Sequence, residues 1–213
     1  MTDAGSMDGA AIASWIRHAA ELISADAERL TRLDAAIGDG DHGHNLDRGF
    51  TAAVAALPGG APPGKVLVAA GRAIVSKTGG ASGPLYGTAL RRAGKALGDA
   101  AEADAAALGA ALKAALDGVK ELGQANEGDK TMIDALAPAV AAYEAALADG
   151  ADLAGCVRAA SEAADAGAAA TVPMQARKGR ASYLGPRSVD HLDPGASSTA
   201  LILRALADVT GQE

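Results

Sequence analysis

The chain has 213 residues and a formal net charge of −7; apolar residues make up 49% of it and aromatic ones only 2%. That length can bury a substantial core. The acidic balance excludes the basic face with which a nucleic-acid binder meets phosphates, but leaves metal-complexed phosphates open as ligands.

Alanine supplies most of the apolar count, and it is the best helix former and a poor strand former. An all-α protein with close helix contacts is therefore expected. The one cysteine, Cys156, lies in an alanine-rich helical pattern, so it reads as a buried thiol and no intrachain disulfide framework is possible. No apolar run approaches the roughly 20 residues of a membrane span. The polar lead Met1 to Met7, expected to be flexible, lacks the basic-then-apolar pattern of a signal. The expectation is a soluble cytoplasmic protein with neither membrane nor nucleic acid as a partner.

Along the chain, Ile12, Trp15, Ile16, Ala19, Leu22, Ile23 and Leu30 recur at spacings of three and four, which predicts a long first helix from about Asp8 to Arg32. It delivers the chain into L-D-A-A-I-G-D-G-D-H-G-H-N, Leu33 to Asn45, with Asp34 at or just past the helix end. A second helix is expected from about Leu46 to Leu57, with Asn45 as its cap. After the breaker Pro58 to Gly64, residues Val66, Leu67, Ala70, Ile74 and Val75 mark a third. Thr78 to Thr88 is Gly-rich and brackets Ser82; Pro84 suits the first turn of a fourth helix running to about Leu97. A glycine-flanked helix start of this kind offers free N–H groups and a positive dipole end to phosphate.

The fifth helix spans about Asp104 to Leu122. A second polar loop, Gly123 to Thr131, follows it, and Thr131 is placed to cap a sixth helix carrying Met132, Ile133, Leu136, Val140, Tyr143 and Leu147. The seventh spans Asp152 to about Ala170. Thr171 to Gly195 then carries Arg177, Lys178, Arg180 and Arg187 and ends in Asp193-Pro194-Gly195, before an eighth helix from about Ala196. Eight helices on short links, with no convincing alternating strand, predict a single domain over 1–213. The architecture expected is an antiparallel up-and-down bundle or barrel. In that arrangement the links after helices one, three, five and seven share one end, which brings every chemically unusual segment to one rim.

Asp34, Asp39 and Asp41 with interleaved glycines read as a cation site, because carboxylates this close repel unless positive charge sits between them. Oxygen-only ligation suits magnesium; zinc competes because His42 and His44 are near. His42 reads as a residue holding a carboxylate or phosphate, and His44 as exposed. Lys130 and Asp129 read as helix-capping residues or as ligand contacts. Met132 reads as core or as a thioether covering a flat base. Arg180 and its basic neighbours face the aspartates as phosphate partners or as a docking surface for an acidic protein.

Four motifs in order, L-D-x-x-I-G-D-G-D-H-G-x-N, G-G-A-S-G-P-L-Y-G, G-D-K-T-M-x-D-A-L and G-R-A-S-Y-L-G followed by D-P-G-A, resemble the nucleotide-binding L subunits (DhaL) of dihydroxyacetone kinases. The resemblance spans roughly Leu33 to Ala196. It implies an eight-helix antiparallel barrel with the nucleotide on the loops at one end. It implies two magnesium ions on Asp34, Asp39 and Asp41, and ADP or ATP contacted by His42, Gly43, His44, Asn45, Ala81, Ser82, Gly123, Met132, Arg180, Asp193, Pro194 and Gly195. His44 stands where a small or aliphatic residue is more usual, so a backbone contact is all that carries over there.

The resemblance also implies the phosphotransferase-system version of the reaction. In it a phosphohistidine on an M-type subunit charges bound ADP, and the phosphoryl group passes to dihydroxyacetone on a K-type subunit. This chain then needs no nucleophile of its own. Other acceptors, an erythrulose-like ketose or a fatty acid, and a regulatory role with a transcription regulator as partner, are the alternatives.

Overall fold

A computed structural model of the chain describes residues 5–211. Among them are eight α-helices: α1 (Gly9–Ile37), α2 (His42–Ala55), α3 (Pro63–Lys77), α4 (Ser82–Leu97), α5 (Ala105–Gly123), α6 (Ile133–Ala148), α7 (Leu153–Ala170) and α8 (Pro194–Thr210), with a 3-10 segment at Arg180–Ser188. Each helix packs on its neighbours in the chain and α8 closes on α1, so the eight form an antiparallel ring. None of them is long and apolar enough to cross a membrane.

The expectation of an all-α fold holds, with one addition. Residues 1–4 of the lead lie outside the described residues, but Ser6–Asp8 forms β1, antiparallel to β2 (Glu102–Asp104), with Met7 opposite Ala103. Both of these side chains are buried, and Ser6 Oγ donates to Glu102 Oε2 at 2.6 Å. Three residues are too few to show a period-two pattern, so the pairing left no trace in the sequence. Each strand runs directly into an aspartate that caps a helix: Asp8 accepts from Ala11 N–H and Asp104 from Ala107 N–H, both at 2.8 Å.

Two boundaries near the acidic loop also differ from expectation. The first helix continues to Ile37, so Asp34 sits inside its last turn rather than at or beyond its end. The second begins at His42, which places Asn45 in its first turn; the N-cap position is Asp41, and Asn45 caps nothing. Gly38 and Gly40 are short enough to let the chain reverse between the two helices without a longer polar stretch.

Small aliphatic side chains fill the ring, closed at two points by aromatic residues. Trp15 Nε1 donates to Ile202 O at 2.9 Å across the α1–α8 seam, and the Tyr143 hydroxyl donates to Ala105 O at 2.7 Å across α5–α6. Cys156 is buried, as expected. The α3–α4 seam is close: Gly71 and Gly87 face each other, and a methyl group on either would lie 2.7 Å from the other's carbonyl oxygen.

That contact is backbone on backbone, so no side chain can rotate away to relieve an added methyl. Gly71→Ala should therefore lower stability by about 1–3 kcal/mol despite the better helix propensity of alanine. Gly59, which has nothing within 4 Å of an added methyl, is the control; Gly59→Ala should stay within about 0.5 kcal/mol. Thermal denaturation followed by circular dichroism distinguishes the two, and equal effects would refute the packing argument.

Candidate functional site

The antiparallel ring points the N-termini of α2, α4, α6 and α8 to one end. The opposite end holds the starts of α1, α3, α5 and α7; α3 begins on Pro62-Pro63 without a side-chain cap, and the other three are capped by aspartates (Asp8, Asp104, Asp152). At the first end, the N-cap residues of α2, α4 and α6 make no side-chain cap, although Asp34 takes the first amide of α2 and Thr131 that of α6. First-turn amides without a side-chain acceptor and positive dipole ends are suited to an anionic ligand. Only α8 is capped there by its N-cap residue, Asp193, whose carboxylate accepts from Ala196 N–H at 2.7 Å.

The three aspartates meet at this end. One oxygen from each of Asp34, Asp39 and Asp41 lies within 4.8 Å of the others. Asp34 organises the loop: its Oδ2 accepts from the amides of Asp41 at 2.9 Å and His42 at 3.2 Å, while a side chain on Gly38 would strike its other oxygen. Gly40, at φ +72°, takes a backbone conformation disfavoured for other residues. Like charges at this spacing repel by roughly 1 kcal/mol per pair at the dielectric of water, and about 3 at an effective value near 20. One counter-charge is present: Arg180 Nε lies 2.8 Å from Asp39 Oδ2, with both side chains exposed.

The structure separates the two histidines from this cluster. His42 is buried, with Nδ1 at 3.1 Å from Ser82 Oγ and Nε2 at 2.9 Å from Ser198 Oγ. Burial lowers its pKa, against the raising influence of Asp34 and Asp41, so the ring is neutral. Both ring nitrogens are engaged and neither points a free lone pair at a metal. His44 is exposed and faces Glu28 at 3.6 Å. Zinc thus lacks the imidazoles that made it a competitor, and the donors left in the cluster are hard carboxylate oxygens.

His42 is one member of a buried network joining three helix starts. Ser198 Oγ also lies 2.7 Å from the Tyr86 hydroxyl, which is 2.8 Å from Thr199 Oγ1 and donates to Gly195 O at 3.0 Å. Burial pushes the Tyr86 pKa up to about 12, so it remains a phenol throughout the neutral range. Neither Tyr86 nor the Ser198–Thr199 pair stood out in the sequence. The available signal was a run of hydroxyls, Ser197 to Thr199, just ahead of the apolar run Ala200 to Leu203.

Beside the aspartates a cleft of about 610 Å³ opens between the rim loops. Leu85, Val119, Leu122, Ala125, Met132 and Ile133 form an apolar wall; Asp34, Asp39, Asp41, His42, Ala81, Ser82, Gly123, Arg180, Asp193, Pro194 and Gly195 are among the other lining residues, with Tyr86, Lys130 and Lys178. Burial pushes the Asp193 carboxyl up to about 7, offset by the amides of Ala196 and Gly195 and by the Lys130 ammonium. Gly43, His44 and Asn45 are not on the cleft surface. Gly43 lets α2 rest against the Ala27 carbonyl of α1, and Asn45 Oδ1 accepts from Arg48 Nη2 at 2.5 Å while its side chain packs beneath Gly79.

Lys130 does not cap α6. Asp134 organises that turn, accepting from Gly128 N–H at 2.5 Å and Thr131 N–H at 2.7 Å, and Thr131 Oγ1 accepts from Ile133 N–H at 3.2 Å.

The DAK2 domain family model matches residues 36–208. The chain is 40% identical, over 95% of its own length and 97% of the other's, to the ADP-binding subunit DhaL of the PEP-dependent dihydroxyacetone kinase of Escherichia coli (strain K12). It is 41% identical to the D-erythrulose kinase of Mycolicibacterium smegmatis, covering 89% of this chain but 33% of that protein. The structure of the dihydroxyacetone kinase from C. freundii in complex with AMP-PNP and Mg2+ superposes with a TM-score of 0.67 at 29% identity, over 93% of this chain and 34% of that one. A family match running from the last turn of α1 into the last helix encloses every loop of the cleft: the chain belongs to the DAK2 domain family.

Proposed function

We propose that this chain is the ADP/ATP-binding subunit of a dihydroxyacetone kinase. In this reading, ADP held with two magnesium ions receives a phosphoryl group from a phosphohistidine on an M-type subunit and yields it to dihydroxyacetone on a K-type subunit. The observation that carries the reading is the oxygen-only aspartate triad at the mouth of a cleft onto which uncapped helix N-termini open. The DhaL relative, matched over nearly its whole length, is named for ADP binding and for dihydroxyacetone kinase activity.

Asp34, Asp39 and Asp41 would hold the metal, and the donor set fits a hard divalent cation. The bound magnesium nucleotide supplies the transferable phosphoryl group and spreads the charge that develops on it. The protein's residues position it. The amide ends of α2 and α4, with Ser82, suit phosphates; the wall of Leu85, Leu122 and Met132 suits a nucleobase. Arg180, planar and permanently charged, balances Asp39 and is suited to phosphate oxygens. His42, neutral and bonded on both nitrogens, fixes the ends of α2, α4 and α8 rather than moving a proton. Donor and acceptor are brought by partners, which accords with a cleft open at its rim.

The acceptor is set by the partner rather than by this chain. The D-erythrulose kinase relative, one third of which this chain matches, favours a short ketose of that kind as a second reading.

Freshly purified protein, denatured and analysed by mass spectrometry, should release ADP in stoichiometric amount. Asp39→Ala should lose it while keeping its helical circular dichroism, since Asp39 is exposed and supports no packing. A variant that retained ADP and full transfer with K- and M-type partners would overturn the assignment of the triad. His44→Ala, by contrast, should keep ADP retention within about twofold, because its ring makes one exposed contact; a loss comparable to Asp39→Ala would place the ring in the site.

A further inference from the structure

Lys130 is 1% exposed, and its ammonium is surrounded by main-chain carbonyls: Nζ lies 2.9 Å from Thr171 O, 3.0 Å from Met174 O, 2.5 Å from His191 O and 3.5 Å from Val172 O. Three protons meet four acceptors, so the donor capacity of the group is fully used. Those acceptors come from both ends of one long connection. Thr171, Val172 and Met174 follow α7, and His191 precedes α8.

The same root is stitched by Asp190 N–H to Val172 O at 2.8 Å, Asp193 N–H to Thr171 Oγ1 at 3.0 Å, and Arg177 N–H to Asp129 O at 3.0 Å. Within it, Ser188 Oγ accepts from Ala176 N–H at 2.8 Å. The connection carries Arg180 into the cleft lining and ends in Asp193-Pro194-Gly195, which also line it.

The backbone at Lys130 argues that the side chain is what this position requires. Its φ is +62°, in the left-handed region, where glycine or asparagine is cheaper for the main chain. A lysine held there, buried, and bonded to nothing but carbonyls of a distant segment is not explained by the turn it occupies.

We propose that Lys130 is a positioning residue for the nucleotide site. Its ammonium fastens the two ends of the α7–α8 connection to the loop before α6. This sets Arg180 against Asp39 and sets Asp193-Pro194-Gly195 against Met132. The function of the fastened groups rests on the nucleotide-binding reading above; the fastening itself does not.

The test uses the full chain without nucleotide first. Lys130→Met removes the ammonium but keeps an unbranched side chain. Lys130→Gly removes it and also relieves the backbone conformation, which gives a second variant if the first does not fold. Hydrogen exchange read by mass spectrometry should show peptides within 171–193 exchanging about 10–100-fold faster in either variant, while the helices keep their protection. Titration with Mg-ADP should then show a Kd raised by about 10–100-fold, the usual scale for residues that orient ligand-contacting groups.

Unchanged protection of 171–193 would overturn the proposal. So would a loss spread evenly over all helices, or a Lys130→Gly protein that bound Mg-ADP as well as wild type, which is the result expected of a role in the turn alone. If wild type itself failed to bind Mg-ADP, the functional reading would fall, and the exchange result would still decide the fastening.

Discussion

An antiparallel ring of helices puts every second N-terminus at the same end, and the site depends on that constraint. In a chain of eight helices, α2, α4, α6 and α8 must start where α1, α3, α5 and α7 finish. Helix starts carry unpaired amides and partial positive charge. At one end the protein caps three of the four, all but α3, with its own aspartates. At the other it leaves three of them without a side-chain cap from the N-cap residue and gathers carboxylates beside them on the end of α1 and in the loop that follows. Positive helix ends beside negative side chains suit a ligand that has both signs, such as a phosphate with its metal.

Such an end carries a stability cost that the far end avoids. The three aspartates repel one another, and the exposed Arg180–Asp39 pair returns at most about 1 kcal/mol. What keeps the rim ordered is buried polar bonding. His42, Ser82, Tyr86, Ser198 and Thr199 tie α2, α4 and α8 at their starts. Buried networks of this kind hold one arrangement well only when all members are satisfied, and here both His42 nitrogens and the Tyr86 hydroxyl have partners. Rigidity at the site thus comes from buried bonds that run into the cleft lining itself, through His42, Ser82 and Tyr86.

The fold was legible because alanine content and three-to-four spacing act over many residues, so an error at one position hardly matters. The aspartates and the convergence of the four polar loops were legible for the same reason: helix count and direction place them without any side-chain detail. Helix ends were less so. Asp34 inside α1 and His42 at the start of α2 depend on a reversal at Gly38 and Gly40 that is tighter than composition reveals. The β1–β2 pair was too short to leave a pattern. Long-range polar partners were the hardest to see. Nothing in G-D-K-T says that its lysine reaches carbonyls at Thr171 and His191, nor does G-P-L-Y-G say that its tyrosine meets Ser198.

These hidden partners also explain why the motifs lie far apart in the chain yet act together. Met132 and Gly195 are in contact: a methyl group on Gly195 would lie 3.4 Å from the Met132 amide nitrogen. That approach requires the loop before α6 and the connection before α8 to keep a fixed distance. Lys130, two residues before Met132, and Asp193, two residues before Gly195, are the buried polar groups on either side of the contact, and Asp193 is anchored through Thr171, whose carbonyl Lys130 also binds. In both loops a residue at the Met132–Gly195 contact thus has a buried polar group two positions before it, and the two polar groups are joined through Thr171. The contact rests on this buried bonding, which owes nothing to the ligand's chemistry.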